Sequence, residues 1–572
     1  MSQARPEQFT KEERELLSRY FTNLDGPVFA LVNLPEVVKG ALFARYSRSG
    51  KGLRRLFLDE FVDDLDVSGD TSLDATVGLR RAEELYERVF NEYGDDSVAQ
   101  LGGVHLACEQ ASNLLTKVLE RGRLMSYLEQ STRYIPYDTR LSSGHYRYVR
   151  DPDILDSPLG ARYVGEMDRM FDTYGELLPP VQELVARRSP RAEGVSALAH
   201  RQAVRAASLD ALRGLLPAGS LSNVGIYGSG QGYEQLLLRM RAHPLPEARS
   251  YAELMLEELR KVIPSFLTRL DRPERGGAWV DYLQRTDEAS ARVVESLWPR
   301  RAPEPGPSVR LISFDADGED RVLAAICFEH SNRPEAELRS RVAALGQADR
   351  DRLFEAYVGE RANRRHRPGR AFEATSYRFE VVCDYGAFRD LQRHRLLTVE
   401  WQPLGTDLGY EVPELIEEAG LSDRFVEQLE RSKALHDSLA AYFPEQCRYA
   451  VALAYRIRFS MEMNAREAMH LLELRSSPQG HPVYRRIAAE MHRLVEQEAG
   501  HRSIARAMSF VDRSGLSPEL GRLDALQRAE ERAAKTGAKR AGARREASTA
   551  SQSGPPAGPR RLRAIDPRSR GG

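Results

Sequence analysis

One order of elements occurs twice in this chain of 572 residues. In the first half, the helical text "SNLLTKVLERGR" (112–123) ends in a basic cluster, Arg121 and Arg123. The extended text "LMSYLEQSTRYIPY" (124–137) follows, and then long helical stretches over 161–178 and 233–262. In the second half, the strand-like "SYRFEVVCDY" (376–385) leads to a short helical segment, "GAFRDLQRHR" (386–395), which again ends in arginines. The extended "LLTVEWQPL" (396–404) and a long helix, "NAREAMHLLELR" (464–475), complete the order. A repeat of this length restricts the chain to two like domains, diverged from one duplication and related by a pseudo-twofold axis with an extensive contact.

The join is visible. "PRRAPEPGPS" (299–308) holds four prolines and a glycine in ten residues, which resist both helix and strand. The domains expected are a first copy over 1–298, the linker 299–308, a second copy over 309–516, and a helix with a disordered basic tail over 517–572. "VRLISFD" (309–315) reads as a strand, with Val309, Leu311 and Ser313 on one side and Ile312 and Phe314 on the other. Tyr377, Phe379, Val381 and Cys383 alternate in the same way. Helices are expected over 33–49 and 72–96, the latter with Leu79, Leu85, Val89 and Phe90 on its apolar side. Each copy is therefore α+β, long helices packed on a small, mostly antiparallel sheet. "GIYGSGQGYE" (225–234) resembles a phosphate-cradling glycine loop, but no buried strand is expected before it, so it reads as a turn.

Composition removes several classes of function. Lys+Arg is 83 against Asp+Glu 84, which gives no overall excess to attract nucleic acid. The tail over 531–572 carries eleven Lys/Arg against three Asp/Glu and reads as a solubilising segment rather than a nucleic-acid site. No apolar run reaches the ~18 residues of a membrane helix, and the first residues lack the basic-then-apolar order of a signal peptide. Cys108, Cys327, Cys383 and Cys447 lie far apart, without paired spacing. The expectation is a reduced, cytoplasmic protein with neither disulfides nor a metal site.

Two stretches carry too much polar chemistry for plain structure. If 124–137 is extended, Glu129, Ser131 and Arg133 share one face, because side chains alternate with period two. A guanidinium fork beside a hydroxyl suits a phosphate, whereas a solvated face of weak Glu–Arg pairs is the plainer possibility. On "NAREAMHLLELR", Asn464, Glu467, Ala468, Leu471 and Arg475 form one stripe, with His470 on the next. An amide, an imidazole and a guanidinium so placed would line a cofactor cleft between helices; an amphipathic helix with ordinary caps would look the same.

"RGRLMSYLEQSTRY" (121–134) resembles the signature of the flavin-dependent thymidylate synthases: Arg-His-Arg, seven residues, Ser, one residue, Arg-Tyr. Gly122 stands at the central His. "RHRLLTVEWQP" (393–403) matches from the other side, with Arg393, His394 and Arg395 complete but Pro403 and Gly405 at the Ser and Arg positions. "NAREAMHLLELR" looks like the family's long helix, "CRYAVA" like the element that carries a nucleotide-contacting Arg, and "RGLLP" (213–217) and "YEQLLLR" (233–239) like weaker copies of the two.

The resemblance implies methylation of dUMP to dTMP, with methylenetetrahydrofolate as carbon donor and FAD, reduced by NADPH, as hydride source. It implies Arg475 as the group that activates the uracil ring, and Ser131, Arg133 and Arg448 as dUMP contacts. It implies Arg121, Arg123, Glu129, Arg393, His394, Arg395, Asn464 and His470 on the FAD side, with no metal. A homodimer would then imitate a tetramer, each site completed by complementary halves of the two copies. The alternative is a catalytically inactive nucleotide- or flavin-binding scaffold of the same fold.

Overall fold

The computed structural model describes residues 7–34, 42–43, 46, 49–60, 103–191, 195–299, 301 and 306–513. The helix expected over 72–96 and the tail over 517–572 lie outside these residues, as do parts of the helix expected over 33–49 and of the 299–308 linker.

Two four-stranded antiparallel sheets carry the chain. The first contains β1 (Val28–Leu31), β2 (Gly103–Ser112), β3 (Ser126–Glu129) and β4 (Leu221–Ser229), in the spatial order β1-β2-β4-β3. The second contains β5 (Val309–Phe314), β6 (Ser376–Asp384), β7 (Thr398–Trp401) and β8 (Arg456–Asn464), in the order β5-β6-β8-β7. The topologies are the same strand for strand, as the α+β duplication requires. The helices that matter below are α1 (Asn113–Leu119), α2 (Gly160–Arg188), α3 (Ala197–Leu212), α4 (Gly230–Ala242) and α5 (Pro246–Arg260) in the first copy. Those of the second are α6 (Tyr385–Leu391), α7 (Ser422–Ala440), α8 (Ala465–Arg475) and α9 (Pro482–Gln497).

Helix caps fix how the copies correspond. Ser112 and Asp384 end β2 and β6 and cap α1 and α6, each accepting from the backbone N–H three residues on. Ser229 and Asn464 do the same for α4 and α8. Counted from these caps, Gly122 corresponds to His394, Ser131 to Pro403, Arg133 to Gly405, Gly232 to Glu467 and Met240 to Arg475.

The axis between the copies is drawn by backbone bonds. Pro217 faces Ala452, and around this pair Ala218 N donates to Val451 O (2.7 Å) and Leu453 N to Leu216 O (2.8 Å). Gly219 N to Tyr449 O and Ala454 N to Gly214 O repeat the pattern, both at 2.9 Å. Each bond has its twofold mate. Helix α2 packs on α7 across the same junction, and one continuous apolar cluster runs through both sheets. Strand β6 shows the reason: Tyr377, Phe379, Val381 and Cys383 are buried and the residues between them are half-buried, as period-two alternation dictates.

Three expectations are corrected. The extended segment over 124–137 is strand only at Ser126–Glu129. After Gln130 N donates to Asn223 O (2.8 Å), Tyr134 N and Ile135 N both turn back to Ser131 O, so Glu129, Ser131 and Arg133 do not share a strand face. The helix expected over 233–262 is two, because His243 is extended and Pro244 cannot continue a helix. "GIYGSGQGYE" is a strand running straight into a helix, β4 into α4. Its glycines are there for close packing: a Cβ on Gly225 would lie 2.5 Å from the Phe43 ring, and one on Gly228 would overlap Met125 Cε.

Candidate active site

The arginine-rich helix ends of the two copies meet at the axis. Glu129, at the end of β3, is buried between copies and accepts from Arg389 (2.5 Å), Arg393 (2.8 Å) and Lys117 (3.2 Å). Burial alone would push its carboxyl up; the three cations outweigh burial and hold it well below the usual range. Its role is to join the copies through buried charge.

Helix α8 builds a linear chain of polar groups. Arg475 Nε donates to His394 Nε2 (3.0 Å), so the proton of the neutral ring sits on Nδ1 and donates to Glu467 Oε1 (3.0 Å). The other carboxylate oxygen, Oε2, accepts from His470 Nδ1 (3.3 Å). Burial, with Arg475 adjacent, lowers His394 to about 4 despite the Glu467 hydrogen bond. Burial works against the Glu467 carboxylate too, but hydrogen bonds from His394 and His470 outweigh it and hold the group at about 2. His394, Glu467 and His470 place ligand atoms within 4.8 Å of one another, a spacing that suits a metal, yet as they stand these atoms bond each other and Arg475. Asn464 Oδ1 caps α8 by accepting from Glu467 N (2.9 Å).

The first copy reaches this chain through Tyr484 on α9. Arg475 lies over the Tyr484 ring, with Cζ 5.5 Å from its centroid, while Arg133 Nη1 donates to the Tyr484 hydroxyl (3.1 Å). Arg133 also forks onto Asp210 of α3, through Nε (2.8 Å) and Nη2 (2.9 Å). Ser131 Oγ accepts from Arg133 N (3.3 Å). Arg213, three residues after Asp210, donates to Asp390 (3.3 Å), and its Nε and Nη2 have no partner among the described residues. Ser131 and Arg133 of one copy and Arg393, His394, His470 and Arg475 of the other are thus brought together within a single chain. We refer to this as the open side.

Arg448, Arg121 and Arg123 are placed elsewhere. Arg448 pairs with Glu445 (2.6 Å) and faces His243, across the axis from Arg133; Arg213 holds the corresponding position beside Arg133. Arg121 pairs with Glu400 (2.7 Å), its guanidinium 5.2 Å from the Trp401 ring, and Arg123 donates to Thr398 (2.9 Å). On this second side the space is filled. Tyr127 donates to Gly122 O (3.0 Å), and a Cβ on Gly122 would lie 2.5 Å from that hydroxyl. Met125 packs on Gly232, where the open side has Glu467. Glu247, second residue of α5 after Pro246, bonds Ser112 and Tyr449 there, whereas Val483, second residue of α9 after Pro482, lines with Asp384 and Gly214 a cavity of about 730 Å³ that reaches Arg213 and His481.

Comparison with known proteins decides what this architecture is. The family described as thymidylate synthase complementing protein matches residues 48–265 and again 310–500. The chain belongs to that family. It carries two copies of the family's domain, in which the flavin-dependent thymidylate synthases are found. An UPF0159 protein of Chlamydia muridarum is 41% identical over 519 residues, covering 90% of this chain and 97% of its own length. Others come from Chlamydia pneumoniae (39% identical over 529 residues, covering 92% of this chain and 98% of its own length) and Thermoplasma acidophilum (32% over 514 residues, 85% and 97%).

Asp210, Arg213, Asp390 and Tyr484 were not singled out as site residues by sequence reasoning. Arg213 had a signal, its place in the weaker "RGLLP" copy. Tyr484 had none, because it lies on an ordinary amphipathic helix.

Proposed function

We propose that this chain is an FAD-dependent thymidylate synthase that methylates dUMP to dTMP in the cytoplasm, with methylenetetrahydrofolate as carbon donor and NADPH as reductant. The observation that carries the reading is the meeting of Arg133 and Arg475 on Tyr484, which joins the nucleotide half of one copy to the activating half of the other.

The residues present fit the flavin on the open side. Arg395 is exposed, and among the described residues its one side-chain hydrogen bond goes to Ser126 Oγ (3.4 Å), so most of its N–H groups are open to phosphate oxygens. His470 is half-buried on the α8 face, its ring 5.2 Å from that of His394, and the Asn464 amide nitrogen remains beyond its cap bond. The closed side lacks the polar chain behind this donor set, since Gly122 and Gly232 stand at the positions of His394 and Glu467. FAD, when bound and reduced, supplies the hydride.

The chain's own groups do the rest. Ser131 and Arg133 take the dUMP phosphate. Arg475 donates toward the uracil carbonyl and stabilises the negative charge that develops on the ring. His394, kept neutral with its acceptor nitrogen on Arg475, fixes the direction of the guanidinium, and Glu467 fixes His394. No helix among the described residues is long and apolar enough to cross a membrane.

Self-association to a homodimer is part of the proposal. Leu124 and Leu396 occupy corresponding positions and are both exposed, at 85% and 68%. Two equivalent exposed leucines suit a symmetric contact with a second chain. The closed side favours a second reading for that half alone: it is a scaffold that keeps the fold without the chemistry. The test is direct. Purified protein should be yellow with flavin absorbance and convert dUMP to dTMP with NADPH and the folate. Colour without turnover overturns the enzyme and makes the whole chain a scaffold; a protein with neither colour nor turnover overturns both readings.

A further inference from the structure

On this reading of the site, a phosphate has to reach a guanidinium that is already occupied. Arg133 has five N–H groups. Four are used: two on Asp210, one on the Tyr484 hydroxyl and one on Gln479 O (3.0 Å). Three residues after Asp210, Arg213 is 3% exposed and two of its nitrogens lack partners among the described residues. One arginine has most of its N–H groups engaged, two of them by a carboxylate, while the other is left short.

The second copy contains the alternative arrangement. Glu445 precedes Arg448 by three residues, as Asp210 precedes Arg213. There the position of Arg133 is Gly405, so no guanidinium comes from that turn. Glu445 instead turns to Arg448, at 2.6 and 3.2 Å. A carboxylate at this position thus has two partners within reach of the fold: the arginine of the turn, or the arginine three residues on.

We propose that Asp210 is a carboxylate switch. Without ligand it occupies Arg133 as a stand-in for phosphate. When a phosphate monoester arrives, Asp210 passes to Arg213 and satisfies its unpartnered nitrogens. Breaking a buried pair is strongly unfavourable if either charge is left alone. Release therefore needs a ligand anion for Arg133 and a receiver for Asp210, and Arg213 is that receiver. An uncharged nucleoside cannot drive the exchange. Asp210 accordingly sets the site's preference for a phosphate monoester over the bare nucleoside.

The test measures binding of dUMP and of deoxyuridine to the full chain by calorimetry. Asp210→Asn should tighten dUMP by about tenfold or more and leave deoxyuridine unchanged, because the competing charge is gone. Arg213→Gln should weaken dUMP in the wild-type background and have no effect in the Asp210→Asn background, where nothing needs receiving. If Asp210→Asn is only marginally folded, the dUMP-induced rise in Tm replaces calorimetry, and it should exceed the wild-type rise. Binding to wild type with no gain in Asp210→Asn overturns the switch and leaves the substrate reading intact. An Arg213→Gln loss that persists undiminished in the double variant also overturns it, since Arg213 would then be a phosphate contact alone. Binding of dUMP to none of the proteins overturns the substrate reading and the switch together.

Discussion

Glu467→Gln isolates the proposed function of the polar chain on α8. The substitution keeps the shape of the side chain and removes its charge. In the native site the carboxylate receives two imidazole N–H groups, at 3.0 and 3.3 Å, and both bonds help to hold it near 2. A hydrogen bond to a charged group contributes about 1.5–3 kcal/mol. An amide still accepts from His394 but turns its NH₂ toward His470, whose ring must move its proton to Nε2 to accept, so both bonds lose the carboxylate charge. Among the described residues, the hydrogen-bond partners of the Glu467 carboxylate are His394 and His470, both of the second copy. If that loss falls on the alignment of Arg475, kcat/KM drops by about 10- to 150-fold, since ~1.4 kcal/mol is a factor of ten. The assay is steady-state conversion of dUMP to dTMP, with Kd for dUMP measured separately. The prediction is a fall in kcat with Kd for dUMP changed by less than about twofold. Wild-type kcat in Glu467→Gln would refute the view that the chain aims Arg475. A loss confined to Kd would move its role to binding.

Three further outcomes follow from the same geometry. Ser131→Ala and Arg475→Ala chains, each impaired alone, should not restore activity when mixed, because Arg133's turn and Arg475 meet within one chain; partial return of turnover would show a site shared between chains. His394 falls to about 4 from its ordinary 6.5, so between these pH values the unfolded chain binds a proton that the folded chain does not. Stability should therefore fall as pH drops through this window, by up to about 3 kcal/mol from this group, and urea midpoints of His394→Gln should lack that share of the slope. Gly122→His restores the family residue but meets the Tyr127 hydroxyl at 2.5 Å from its Cβ. Overpacking of this kind destabilises by about 1–3 kcal/mol, visible as a lower urea midpoint, and no second flavin should bind.

The duplication was legible because it rests on strong local signals. Alternation in 376–384 gave β6, and the order of helix, basic cluster, strand and helix gave the common topology. The chain's Arg475, His394 and His470 were legible as a group through the family resemblance. The pairing of halves was harder. Glu129 reads like a ligand contact in one dimension, yet it is buried among Lys117, Arg389 and Arg393, two of them more than 250 residues away. Arg448 lies in the better-matching copy of its element, but the axis carries it to the closed side and brings Arg213 to the open one. Local text records which residues survive in each copy; it does not record which copy's residues face each other. Asp210 was invisible for a related reason, since a lone aspartate on a helix gains meaning only when Arg133 arrives from another turn.

The central claim is that two diverged copies complete one site and close the other. Ligand stoichiometry tests it most directly. Equilibrium titration of the purified, flavin-stripped chain with FAD, and of the loaded chain with dUMP, should saturate at one of each per chain. Two of each per chain would contradict the account, because the side closed by Tyr127, Met125 and Glu247 would then be a working site.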